Sequence, residues 1–97
     1  MRIEWDPEKA RKNLAKHGVS FEDASDLLSG EEDVLEIFDA EHSIDENRFL
    51  AIGPARSGLL VVVYAVVDDD RFRIVSARKA TRREQERFEG YWRGRHG

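Results

Sequence analysis

Sixteen lysines and arginines and three histidines are the side chains in this 97-residue sequence best suited to binding phosphate or carrying a proton. Cysteine is absent, which excludes thiolate catalysis, disulfides and cysteine-based zinc sites together. His17, His42 and His96 lack the close spacing of an H-E-x-x-H metal site. No glycine-rich phosphate loop and no nucleophile elbow occurs. Neither a metal nor an organic cofactor is expected. The remaining guanidinium, ammonium and imidazole groups suit cleavage of RNA by its own 2′-hydroxyl. That reaction requires a clamped phosphate, neutralised non-bridging oxygens and two proton transfers. Arginine forks serve the first two needs, and a group such as histidine, titrating near neutrality, serves the third.

The net charge of −4, taken alone, opposes a polyanionic partner. The charge is segregated, however. Between Val19 and Asn47 every charged residue is acidic, whereas from Arg71 onward a run of lysines and arginines meets only Glu84, Glu86 and Glu89. Nucleic acid therefore becomes a candidate partner if folding gathers these arginines beside Lys9, Lys12 and Lys16.

The elements that must do this gathering are punctuated clearly. Asp6, Pro7 and Gly18 bracket a helix over 7–17 in which Ala10 and Leu14 form the apolar stripe and Lys9, Asn13 and Lys16 a polar one. Ser20 with Asp23 opens a second helix burying Phe21, Ala24, Leu27 and Leu28, and Gly30 ends it. Strands are expected over 34–38 and 48–52, the latter stopped by Gly53-Pro54. The unbroken apolar run 59–67 reads as a central strand buried on both faces. Asp68-Asp69-Asp70 turns the chain into a strand over 71–77. Strict alternation there puts Arg71, Arg73, Val75 and Ala77 on one face and Phe72, Ile74, Ser76 and Arg78 on the other. The Ser76 hydroxyl is expected to satisfy a local hydrogen bond. Thr81 and Glu84 form a capping box before a last helix carrying Phe88, Tyr91 and Trp92 as a packing stripe. With 40% hydrophobic and 37% charged residues, the chain reads as a single domain over 1–97 of α+β class. Its helices are expected on one face of a mainly antiparallel sheet. The longest apolar run falls far short of the ~20 residues of a spanning helix, so a cytoplasmic protein without membrane contact is expected.

The elements Trp5-Asp6, Lys9, Asn13 and Lys16-His17-Gly18, followed by Glu46-x-Arg48, Gly53, the run Arg73-Ile74-Val75-Ser76-Ala77-Arg78-Lys79-Ala80-Thr81 and Glu84, resemble the BrnT-type toxins of bacterial toxin–antitoxin modules. The resemblance spans nearly the whole chain. It implies a compact RelE-like fold, ribonuclease activity that inhibits translation, and neutralisation by a cognate small DNA-binding antitoxin, BrnA-like, through which alone operator DNA is bound. The matching positions are Lys9, Asn13, Lys16, His17, Arg48, Arg73, Arg78 and Glu84. Combined with the phosphate chemistry, they suggest Arg48 and Arg78 on the scissile phosphate and His17 or Lys16 in proton transfer. Lys9, Asn13, Arg73, Arg82 and Arg83 would then contact the rest of the RNA. For Arg78 the alternative is an ion pair with Glu84 at the strand–helix corner, and for His17 an interaction with the helix dipole. The competing function is a non-enzymatic module that binds the antitoxin and modulates operator repression.

Overall fold

Each described α-helix begins where a side-chain oxygen accepts one of the first free amides. In the computed structural model, which describes residues 2–30 and 33–96, α1 (Pro7–His17) starts with the Asp6 carboxylate accepting from the Glu8 N–H at 2.9 Å. It ends at Gly18 in the left-handed region, φ 70°. The Ser20 hydroxyl accepts from the Asp23 N–H at 3.1 Å to open α2 (Phe21–Ser29). Thr81 and Glu84 close the expected reciprocal box, at 3.2 and 2.9 Å, ahead of α3 (Arg82–His96).

Five strands form one sheet in the order β1-β5-β4-β3-β2, comprising β1 (Arg2–Glu4), β2 (Leu35–Phe38), β3 (Asn47–Ala55), β4 (Gly58–Val66) and β5 (Arg71–Lys79). Only β1 and β5 pair in parallel. β4 is central, and its consecutive Leu60, Val61 and Val62 are fully buried, as the apolar run demands. Leu60, Val62, Tyr64 and Ile74 face α1 and α2, packing with Val19, Phe21, Ala24 and Leu27. Trp5 joins them edge-on to Phe21. Along one end of this face, rings from four adjacent strands, Phe38, Phe49, Tyr64 and Phe72, stand with centroids 5.4–5.6 Å apart.

The expectation that all helices share one face is incorrect. α3 lies on the opposite face, where Phe88 and Tyr91 pack on Ile52, Val61, Leu50 and Leu59. β4 is apolar on both sides, so each face needs a cover, and the Thr81 turn delivers α3 to the second. β3 also runs through Gly53-Pro54 to Ala55 instead of stopping before them. β2 pairing ends at Leu35–Ile52, so Pro54 has a strand on one side only, where a missing N–H is tolerated. Gly53 is needed for packing, because a Cβ there would fall 2.6 Å from Val34 Cγ1.

Two further departures arise at the edge of β5. Val63 pairs with Ser76 while Tyr64 pairs with Ile74, which leaves Val75 as a β-bulge. The extra residue resets the alternation, so Ser76 and Arg78 share a face with Arg73, and Ala77 joins Ile74 in the core. β1 covers β5 only as far as Arg73. Beyond it the buried Asn13 carboxamide takes over, donating to the Ala77 carbonyl at 2.8 Å and the Val19 carbonyl at 3.0 Å and accepting from the Ala77 N–H at 3.1 Å. This tie, not an apolar stripe, sets the rotation of α1. Leu14, expected inside, is therefore 51% exposed.

Two stability predictions follow from these contacts. Asn13→Ala leaves the Ala77 amide and two carbonyls without partners and should cost about 3 kcal/mol, lowering Tm by roughly 12 °C or more in thermal melts. At the α3 corner the Arg78 fork donates to both Glu84 oxygens at 2.7 and 2.8 Å, and this pair, followed by the Thr81 amide, holds the Glu84 carboxyl at about 2. A carboxyl whose pKa falls on folding stabilises the native state above its unfolded value, and that stability is lost as pH drops from about 5 to 2. Glu84→Gln should cost about 1–2 kcal/mol at pH 7, allowing for the partly exposed Arg78, and should flatten the pH dependence of denaturant midpoints across that range.

Candidate nucleic-acid interface

The Asn13 tie brings one flank of α1 against the bulge in β5. Lys9, Lys12, Lys16 and His17 there line a shallow groove with Val75 and Ser76. None of the three lysines forms an ion pair among the described residues. The groove, at about 210 Å³, is smaller than a small-molecule pocket and open along its length, a shape that suits a strand laid across it. Ser76 departs from expectation, since its hydroxyl makes no hydrogen bond within the described residues. His17 is half-buried at the end of α1.

Ser76 connects this groove to the arginine-bearing face of the sheet. Arg78 lies two residues further along β5, and Arg73 lies on the other side of the bulge. Arg73, Ala65 and Arg48 form a cross-strand row on that face, with small Ala65 beneath two long side chains. The Glu46 carboxylate spans the row. Arg73 donates to its Oε2 at 2.5 Å, and Arg48 reaches Oε1 at 3.4 Å. These contacts, Arg73 foremost, hold the Glu46 carboxyl below the usual range.

Arg48 and Arg78 therefore face the same way without sharing an anion site. Four residues along β3 and two strands across put their Cα atoms about 16 Å apart. Each also has its own carboxylate, Glu46 for Arg48 and Glu84 for Arg78. The expected joint clamp on a single phosphate is replaced by two separate arginine positions on one surface.

Other expected residues lie elsewhere. Asn13 sits beneath the groove with its carboxamide committed to backbone, so it positions neighbouring groups and does not offer itself to a ligand. The Arg82 side chain is 94% exposed and leans toward Glu86 at 3.7 Å. Arg83 is exposed on α3. His42 pairs with Asp39 at 2.9 Å in the segment before β3, away from the α1 groove. His96, at 2.5 Å, and Arg95 fasten the end of α3 to Asp33, which lowers the Asp33 pKa. Sequence reasoning counted Lys12 with Lys9 and Lys16 in a basic surface without giving it an individual contact, and gave Ser76 no site role. The 9-12-16 spacing of the lysines could have identified the first, but the second depends on a bulge with no local signal.

Comparison with known proteins places this arrangement in a family. A family model described as the ribonuclease toxin BrnT of type II toxin–antitoxin systems matches residues 5–84. The crystal structure of the Brucella abortus ribonuclease toxin BrnT superposes with a TM-score of 0.61 at 29% identity, covering 84% of this chain and 99% of that one. Among proteins of curated function none matches. The matched span runs from Trp5 through α1, α2, strands β2 to β5 and the Arg78–Glu84 corner, and on that basis the chain belongs to the BrnT ribonuclease toxins of type II toxin–antitoxin systems.

Proposed function

We propose that this chain is a metal-independent endoribonuclease that inhibits translation by cutting RNA through attack of the 2′-hydroxyl on the adjacent phosphate. The observation that carries this reading is the groove of Lys9, Lys12, Lys16 and His17 over Ser76, a cationic concavity without a carboxylate in its lining on a chain of net charge −4. An excess of acid elsewhere does not cancel a local field at these distances, because exposed charges more than about 10 Å away are largely screened at 0.1 M salt. A phosphate resting in the groove would accept from the surrounding ammonium groups. These groups stabilise charge building on the non-bridging oxygens.

His17 and Lys16 supply the proton transfers. A neutral imidazole takes the 2′-hydroxyl proton as the oxygen attacks phosphorus, and a cationic group protonates the departing 5′-oxygen. The product ends are a 2′,3′-cyclic phosphate and a free 5′-hydroxyl. Lys9, Arg73 and Arg78 hold the backbone on either side. The protein partner implied by the family is, in this reading, a small DNA-binding antitoxin of BrnA type that neutralises the toxin by covering the groove. Operator DNA is reached through that partner, in the cytoplasm. None of the described helices is long and apolar enough to cross a membrane.

The test is cleavage of a defined RNA with end-group analysis, in buffer containing EDTA. Wild-type protein should leave cyclic phosphate ends undiminished by the chelator, while His17→Ala and Lys16→Ala, checked for folding by circular dichroism, should between them lose about 100-fold or more in rate. Loss of cleavage in EDTA, or full activity in the double variant, would reject the mechanism. Antitoxin binding with no RNA cleavage by any preparation would favour the non-enzymatic module.

A further inference from the structure

The Arg48–Ala65–Arg73 row lies outside the α1 groove, and the cleavage mechanism draws on it only for a backbone contact at Arg73. Its two guanidiniums meet a single carboxylate, one at each oxygen. A phosphodiester likewise presents two anionic oxygens on one centre, and paired arginines recognise both groups with the same fork geometry. The Arg73 contact is short, whereas the Arg48 contacts at 3.4 Å lie beyond ordinary hydrogen-bond length. Glu46 thus satisfies one guanidinium and leaves the other loosely held.

The segment that carries Glu46 has room to move it. Glu46 immediately precedes β3, and open grooves lie on both sides, one lined by Ser43, Asp45, Asn47 and Val66, the other by His42 and Arg48. Ile44, two residues earlier, is 89% exposed, so the segment is not pinned by the core there. The arginines are fixed by comparison. Their strand neighbours Phe49 and Phe72 belong to the ring row on the other face of the sheet.

We propose that Arg48 and Arg73 form a second phosphodiester-binding site, held closed in the free protein by Glu46 as an internal stand-in for phosphate. An incoming nucleic-acid phosphate displaces the carboxylate and takes both forks, anchoring the strand at a distance from the scissile bond. The inference rests on the reading of this surface as a polynucleotide interface, and adds a site whose affinity is limited by the chain's own anion. Only an exchange of ionic partners is involved.

The experiment is fluorescence anisotropy of a single-stranded oligodeoxynucleotide, which cannot be cleaved for want of a 2′-hydroxyl, titrated with the full chain over a range of salt. Glu46→Gln keeps an acceptor but removes the charge. With no carboxylate charge left to displace, it should bind about fivefold more tightly than wild type at 0.1 M salt, the equivalent of about one phosphate contact. Glu22→Gln, which removes one exposed charge from α2, should gain far less. Combining Glu46→Gln with Arg48→Ala should abolish the gain. Equal gains from Glu22→Gln and Glu46→Gln, an unchanged affinity, or a gain that survives Arg48→Ala would each overturn the second site. Should Glu46→Gln prove unstable, Arg48→Ala alone decides the matter, since a true contact requires weaker binding and a shallower slope. RNA cleavage by the same wild-type preparation separates the two readings. Cleavage without the Glu46→Gln gain defeats only this site, whereas neither binding nor cleavage defeats the proposed function as well.

Discussion

A short parallel β1 leaves the edge of β5 uncovered beyond Arg73, and the unpaired backbone of Ala77 has to be satisfied in the interior. Asn13 does so with both ends of its carboxamide, acting as a one-residue strand projected from a helix. Because the side chain is short, α1 has little freedom to slide or rotate, and the lysines one turn either side of Asn13 are held over the bulge at Val75. The same carboxamide holds the Val19 carbonyl and so sets the start of the connection into α2. A single amide therefore fixes the helix, the edge strand and the concavity between them. The cost is borne by the helix surface, where Leu14 remains half in water.

The local elements were legible in the sequence because their signals are chemical and short-range. Asp6, Ser20, Thr81 and Glu84 each accept the amide that their position implies, and Gly18 takes the left-handed conformation that ends α1. The central place of β4 was equally readable, since no other position hides both sides of an unbroken apolar run. What could not be read was the side of the sheet on which each later residue falls. A bulge shifts the alternation by one residue and transfers everything after it to the opposite face. Nothing in Ile74-Val75-Ser76 distinguishes it from a regular strand, so alternation divided arginines that the fold collects. The polar stripe on α1 was found for its spacing, but spacing could not show that Asn13 is buried while Lys9 and Lys16 are not.

The two faces of the sheet are built as a pair at one end. Phe49, Tyr64 and Phe72 form contiguous ring contacts on the helix side, and the adjacent residues Arg48, Ala65 and Arg73 form the cationic row behind them. Tyr64 anchors its end by donating to Glu36 at 2.9 Å, and both its burial and that carboxylate raise its pKa, so it remains a neutral donor. Small Ala65 between two arginines leaves their stems room to lie against the sheet, keeping the charged heads at the surface.

Charge segregation along the sequence acquires its meaning only through this architecture. The acidic middle of the chain supplies Glu46 and Glu36, which contact groups on β5 and β4, while the remaining acids of α2 lie on the far side of the sheet from the arginines. A net negative chain can then present a basic surface, because the field at a groove is set by what lies within a Debye length. Within that surface the cations differ in kind. Arg78 is saturated by a bidentate carboxylate that also caps α3, so its first role is to hold the corner. The α1 lysines have no such obligation and are free for a ligand, and the Arg48–Arg73 row lies between these extremes. Cation count alone would not separate the three arginines from the three α1 lysines. Counter-ion occupancy does separate them, and it favours the groove that Asn13 holds open as the site of the proposed chemistry.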